Sequence, residues 1–224
     1  MLDAICRMLS SEYLRKSDFR RYSEDIPKIQ TCELLGAIAA KLVLGYTECM
    51  AFSEPERILN QFSLGEDWSV ADFGVGSGAY ALAAARHTHR GHIYAIDIQK
   101  NLLAKVKKEA ESRGSQNVEV IWGDVEKPGG THLKEGSMDA VIIANILFQI
   151  DNKRNVAHEA ARILRKGGRA LIVDWTGSFG GVGPHPESVF SKEKAQELFE
   201  AASFEYEQDI EAGEHHYGLI FKKN

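Results

Sequence analysis

Residues 70–78 read Val-Ala-Asp-Phe-Gly-Val-Gly-Ser-Gly, a carboxylate followed by three alternating glycines. Glycines at this spacing let a backbone come close to a ligand where a Cβ would obstruct it. Two chemistries use such a loop. Gly74-x-Gly76-x-x-Ala79 fits the dinucleotide fingerprint: loop amides approach a pyrophosphate, and an acid roughly 20 residues on, here Asp97, takes the ribose diol. Gly74-x-Gly76-x-Gly78 behind Asp72 is equally the loop of an S-adenosylmethionine site. That ligand carries a sulfonium and an ammonium group and no phosphate. A carboxylate at Asp72 is unfavourable beside a diphosphate and favourable near a cation. Asp124 is placed to accept from an adenine amino group, which the nucleotide fingerprint alone does not require. Asp97 serves the ribose in both readings, so Asp72 and Asp124 decide between them, for S-adenosylmethionine. The residues assigned to the cofactor are Asp72, Phe73, Gly74, Gly76, Gly78, Asp97, Ile98, Asp124, Val125 and Asn145.

Whether methyl transfer needs a base depends on the acceptor: a carbon acid or a hydroxyl needs one, a thiolate or free amine does not. Asp174, His185 and His216 are the candidates. Each has a plainer alternative, as a turn cap, an exposed loop histidine and a packed strand residue, respectively. Asn145 either orients an acceptor, contacts the amino acid end of the cofactor, or caps a turn. His87-x-His89-x-x-His92 is not a zinc spacing and reads as an exposed turn, so no metal is expected. Cys6, Cys32 and Cys49 could suggest metalloid chemistry, but no cysteine follows them, and buried thiols are the simpler reading.

These residues need elements to hold them. Apolar strands are read at 70–73, 92–96, 118–122, 140–144 and 169–174, with helices at 79–86, 99–113 and from Asp151 to about Leu164, ended by Gly167-Gly168. Strand–helix alternation with near-continuous apolar strands means a parallel sheet covered on both faces. A helix at 191–202 follows. Strands at 204–210 and 216–221 are joined by a turn too short for anything but an antiparallel pair. The fold class is therefore α/β, Rossmann-like: a seven-stranded, mostly parallel sheet with a C-terminal antiparallel hairpin. Ligands of such sheets bind beyond the carboxyl ends of the strands, and all five parallel strands end in an acid or amide. Ahead of the sheet, residues 34–43 repeat at helical spacing, and Ser53 with Glu56 forms a capping box around Pro55.

The chain has 224 residues, a net charge of −5 and three cysteines. It is long enough for one core, shows no basic footprint of a nucleic-acid binder, and suits a reducing, cytoplasmic setting. No signal peptide or membrane span is read.

Residues 70–175 resemble the class I S-adenosylmethionine-dependent methyltransferases, in the group that includes the ubiquinone/menaquinone biosynthesis C-methyltransferases (methyltransferase type 11). The resemblance rests on "VADFGVGSG", "IYAIDIQ", "GDVEKP" and the run from Gly136 through Glu159, Arg162 and "LRKGG" to Trp175. "SKEKAQELFEAASFE" and "HHYGLIFKK" are similar to the family's closing helix and hairpin. Lys166 stands where the family usually has proline. The resemblance implies S-adenosylmethionine as donor, S-adenosylhomocysteine as product, and a small or lipophilic acceptor. It implies residues 1–62 as a helical lid, aided by Tyr13, Phe19, Tyr22, Tyr46 and Phe52, and 63–224 as the cofactor domain. "NILF" after the fourth strand lacks the Asn-Pro-Pro-aromatic pattern of base methylation, and with the acidic balance this argues against DNA. The alternatives are a nicotinamide-dependent oxidoreductase using the same loop, and a cofactor-binding protein without transfer activity.

Overall fold

The computed structural model describes residues 54–179 and 183–224, all within the unit Ala51–Asn224. The helix expected at 34–43, the aromatic residues of the lid, Ser53 and the three cysteines lie outside the described residues. The elements are α1 (Pro55–Phe62), β1 (Ser69–Phe73), α2 (Ala79–His87), β2 (His92–Asp97), α3 (Lys100–Ser112), β3 (Val118–Trp122), β4 (Met138–Ala144), α4 (Lys153–Ile163), β5 (Leu164–Trp175), α5 (Lys192–Ala201), β6 (Phe204–Glu211) and β7 (His216–Lys223).

The strands form one sheet in the order β3-β2-β1-β4-β5-β7-β6. β1 to β5 run parallel, and β7 lies antiparallel between β5 and β6. The strand order reverses between β1 and β4, which makes their carboxyl ends the switch point where such sheets open a ligand crevice. Side chains alternate across the sheet. Val70, Ile93, Ile142 and Val173 pack with Ile58, Leu59 and Phe62 of α1, Ala81 and Ala84 of α2 and Val106 of α3. Ala71, Ile96, Val141 and Ile172 pack with Val156 and Ala160 of α4 and Phe199 of α5. Burying a side chain such as Phe62, fully enclosed here, contributes about 1.5–3 kcal/mol. Gln61 Nε2 donates to the Glu211 carbonyl at 2.9 Å and ties α1 to β6.

Three local expectations are corrected. Glu54, not Ser53, is the N-cap of α1, and Glu56 pairs with Arg86 and His87 of α2 rather than closing a capping box. Asn152, not Asp151, caps α4, its side chain accepting from the Asn155 N–H at 3.1 Å. Finally, α4 ends at Ile163, ahead of the glycines. Leu164 is already extended, fully buried and paired with Met138, so the demand of the sheet overrides the helix. Gly167, at φ +73°, instead turns the chain back into register at Arg169.

Candidate active site

The glycine loop leaves β1 at the switch point. Gly74, Gly76 and Gly78 have φ of 68°, 52° and 84°, the left-handed region open to glycine. At two of them space is also short: a Cβ on Gly74 would lie 2.6 Å from the Ile146 side chain, and one on Gly78 2.9 Å from Val106. The loop amides are committed within the protein. Gly74 and Val75 N–H both donate to the Ile96 carbonyl at 2.9 Å, and Gly78 N–H to Val75 at 2.8 Å. Gly76 N–H donates to Asp97 Oδ2 at 3.1 Å. Four amides that already have acceptors form no pyrophosphate cradle.

Beneath this loop Asp72 is 2 % exposed, and its Oδ2 has no hydrogen-bond partner. Burial pushes its carboxyl up to about 7; the Ala81 N–H on α2 opposes this and the neighbouring Asp97 adds to it. An orphaned buried carboxylate oxygen costs stability and points to a missing partner. Asp97 ends β2 with both oxygens engaged, Oδ1 accepting from Gln99 N–H at 2.8 Å. Each oxygen keeps a second lone pair for a ligand. Asp124, after β3, accepts from Glu126 N–H at 3.0 Å and pairs with Lys127 at 3.0 Å.

A cleft of about 300 Å³ opens over these strand ends. Of the residues assigned to the cofactor, Gly74, Gly76, Asp97, Ile98, Asp124 and Val125 line it; Asp72, Phe73, Gly78 and Asn145 do not. Phe73 is fully buried on the α4–α5 face, and Gly78 is the N-cap of α2. Gln99, Leu102, Gly123, Glu126, Ile146, Gln149 and Ile150 also line the cleft. Four of them, Gln99, Gly123, Glu126 and Ile146, sit one or two positions from an assigned residue, so the strand ends were the available signal. Three carboxylates, Asp97, Asp124 and Glu126, face the cleft, and among the described residues no lysine, arginine or histidine lines it.

The other half of the rim is built by β4, β5 and β7. Asn145 has φ +58°, rare for a side chain other than glycine. Its N–H donates to Val173 at 2.8 Å, and its Oδ1 is buried without a partner. Asp174 is fully buried, with Oδ2 accepting from Leu147 N–H and Oδ1 from Trp175 N–H, both at 2.8 Å. Burial pushes its carboxyl up to about 6 against these donors. It faces the α4–α5 side and pins the loop after β4. His216 is 6 % exposed, neither ring nitrogen has a partner, and its ring lies 4.2 Å from that of Trp175. His185 stands on an exposed loop, 3.5 Å from Glu187. His87 and His89 turn to Glu56 and Glu66. Among the described residues, no cluster of three or more His, Cys, Asp or Glu side chains is arranged for a metal, and no helix is long and apolar enough to cross a membrane.

Residues 71–172 match the family model of a methyltransferase domain, a segment that runs from β1 into β5 and contains every residue lining the cleft. The segment is thus similar in sequence to a methyltransferase domain and has the Rossmann-like fold of one. A S-adenosylmethionine-dependent methyltransferase from Aquifex aeolicus superposes with a TM-score of 0.70 at 25 % identity, over 77 % of this chain and 91 % of that one. Human arsenite methyltransferase is 30 % identical over 49 % of the chain and 31 % of its own length. The mitochondrial 2-methoxy-6-polyprenyl-1,4-benzoquinol methylase of Oryza sativa subsp. japonica is 34 % identical over 37 % of the chain and 28 % of its own. The chain thus spans about a third of these curated relatives. The family and its structural neighbours indicate S-adenosylmethionine as the methyl donor.

Proposed function

We propose that this chain transfers a methyl group from S-adenosylmethionine to a small or lipophilic organic acceptor by in-line displacement, with S-adenosylhomocysteine as product. The observation that carries the reading is the charge of the cleft: three carboxylates line it, of which Asp124 is paired with Lys127 outside the lining, and among the described residues no cationic side chain does, which attracts a sulfonium and repels a diphosphate. The orphaned Asp72 Oδ2 and the committed loop amides agree with it. Asp97 would hold the ribose hydroxyls through its free lone pairs, Ile98 and Val125 would flank the adenine, and Asp124 would accept from its amino group. Asp72 and Asn145 lie toward the amino acid end.

When bound, S-adenosylmethionine supplies a methyl group already activated by its sulfonium. The chain's own task is then to hold and align, and orientation alone supplies roughly 7–11 kcal/mol in favourable cases. Asp174 contributes by fixing Leu147 and the loop after β4, not by taking a proton, since both its oxygens accept backbone amides. Residues 1–62 are assigned as the cap that excludes water from the acceptor, and 63–224 as the cofactor domain. The aromatic content of the cap and the polyprenyl benzoquinol in one relative's name support a lipophilic acceptor. Arsenite, in another relative's name, calls for thiols, and this chain's three cysteines all precede the matched segment. An odd number of cysteines suits a reducing cytoplasm.

Thermal unfolding with S-adenosylhomocysteine and with NAD tests the reading. The first, at about a hundred times its Kd, should add about 2.7 kcal/mol of stability, and NAD should add nothing. The reverse result would mean a nicotinamide enzyme. Transfer of a labelled methyl to a panel of phenols, quinols, thiols and amines then identifies the accepting atom.

A further inference from the structure

A buried ion pair on α4 takes no part in the scheme above, yet all its contacts reach one loop of the cleft. Glu159 is 2 % exposed. Its Oε2 accepts from Gly129 N–H at 2.8 Å. Its Oε1 accepts from Thr131 Oγ at 2.6 Å and from Thr131 N–H at 3.3 Å. Arg162 donates to both carboxylate oxygens at 2.8 and 2.7 Å, and its Nη2 also donates to the Leu133 carbonyl at 2.9 Å. Nearer the start of the helix, Asn155 Nδ2 donates to the Glu126 carbonyl at 2.8 Å, and Asn152 N–H to the Glu126 carboxylate at 2.6 Å. One face of α4 therefore grips the loop after β3 at both ends.

Between those ends the loop is tightly folded on itself. Asp124 N–H donates to the Gly130 carbonyl at 3.1 Å, and a Cβ on Gly130 would meet the Asp124 carbonyl at 2.0 Å. Gly130 lies between Gly129 and Thr131, the two residues that Glu159 holds. Position thus passes from Glu159 to Gly130 and from Gly130 to Asp124, which lines the cleft. Burial alone would raise the Glu159 carboxyl, but the donors of Arg162, Thr131 and Gly129 outweigh it and hold it down at about 2. A buried ion pair is a poor source of net stability, because apolar residues of like volume often replace it without loss. What an apolar pair would not reproduce is the set of directed bonds to one loop.

We infer that Glu159, steadied by Arg162, is a positioning residue that sets the Asp124 loop and with it the affinity for the adenine half of S-adenosylmethionine. The inference rests on the cofactor reading given above. It is tested by calorimetric titration of the wild-type chain and of Glu159→Gln, Thr131→Val and Thr131→Ser with S-adenosylhomocysteine and with 5′-methylthioadenosine. The two probes share the adenine half and differ at the amino acid end. Glu159→Gln should weaken both by the same factor, about tenfold, the scale of one lost charge-assisted hydrogen bond. Thr131→Ser keeps the hydroxyl donor and should bind like wild type, whereas Thr131→Val should fall between. All titrations are run well below the melting temperature, with matching far-UV circular dichroism, so that a purely structural role leaves both affinities unchanged. Should Glu159→Gln not fold, Thr131→Val against Thr131→Ser decides. Folded variants that bind both probes as wild type does overturn the inference. A wild-type chain that binds neither probe overturns the cofactor reading, and the inference with it.

Discussion

The two halves of the carboxyl rim are built on opposite plans. Over β1, β2 and β3 the carboxylates on the cleft already hold the protein's own backbone: Asp97 takes Gly76 and Gln99, and Asp124 takes Glu126, while Asp72 behind them keeps one oxygen unpaired. The loops there stand ready, and the cleft lies over them. Over β4, β5 and β7 two polar side chains lack partners. Asn145 holds an unpaired oxygen in a left-handed backbone, and His216 two unpaired nitrogens beside Trp175. Groups engaged before a ligand arrives set a rigid seat. Buried groups left unpaired cost stability, which folds tolerate chiefly at functional sites. The first half carries the cleft residues proposed for the cofactor. The second is free to differ with the acceptor.

The largest effect expected falls on the seated half. Asp97→Ala removes the acceptor for two backbone amides and for the ribose together. Its affinity for S-adenosylhomocysteine should drop about a hundredfold, near 2.7 kcal/mol, by calorimetry. Retention of full affinity would dissolve the distinction between the halves, because Asp97 would then be a turn cap and nothing more.

Asp72 sharpens the comparison from the same half of the rim, as a buried β1 carboxylate with an unpaired oxygen. Its folded-state value, about 7, lies above its ordinary value of 3.8, so protonation favours the fold. The Asp72 contribution to stability, read as the difference between wild type and Asp72→Asn, should accordingly rise as pH falls through about 7 and level off below 3.8. A shift of this size corresponds to roughly 4 kcal/mol when the group is ionised. Asp72→Asn should recover about half of that at pH 8, since its amide still lacks an acceptor. The gain should disappear near pH 4 in denaturant unfolding. S-adenosylmethionine should bind the variant more weakly than wild type. A variant that loses both stability and affinity at pH 8 would make Asp72 a structural member of the loop.

The contrast between the halves also explains what could be read from the residues alone. Strands buried on both faces are continuous apolar runs, so their ends, and the acids at those ends, are visible without coordinates. Asp97 stands on the cleft for that reason, whereas Asp124 follows β3, a half-exposed edge strand. The direction of a side chain at a strand end is harder. Asp174 ends β5 as Asp97 ends β2, yet in the strand's alternation it falls on the α4–α5 face with Ala170 and Ile172, where it accepts from Leu147 N–H. Glu159 is further from view, because its partners Gly129 and Thr131 lie 30 and 28 residues away in the chain. The start of β5 at Leu164, ahead of the glycines, is hidden in the same way, since the pairing of Leu164 with Met138 is a tertiary event.

The smallest expected effect probes the unpaired half. His216→Phe keeps a ring against Trp175 and removes two buried nitrogens without partners. Relieving such groups is worth about 1 kcal/mol, or about 2–4 °C in Tm for a domain of this size, so the variant should melt higher than wild type. The sign is the test, because replacing a hydrogen-bonded core histidine lowers Tm. The pH dependence gives a second reading. Burial first, and the neighbouring charge of His215 second, push the His216 imidazole down from 6.5 to about 4. The unfolded chain therefore binds the proton more readily at this site, and the contribution of His216 to stability falls as pH falls from 6.5 toward 4. Phenylalanine cannot titrate, so the advantage of the variant should widen over that interval. A variant less stable than wild type, by a margin constant across it, would mean that His216 is satisfied within the fold and that the two halves of the rim are built alike.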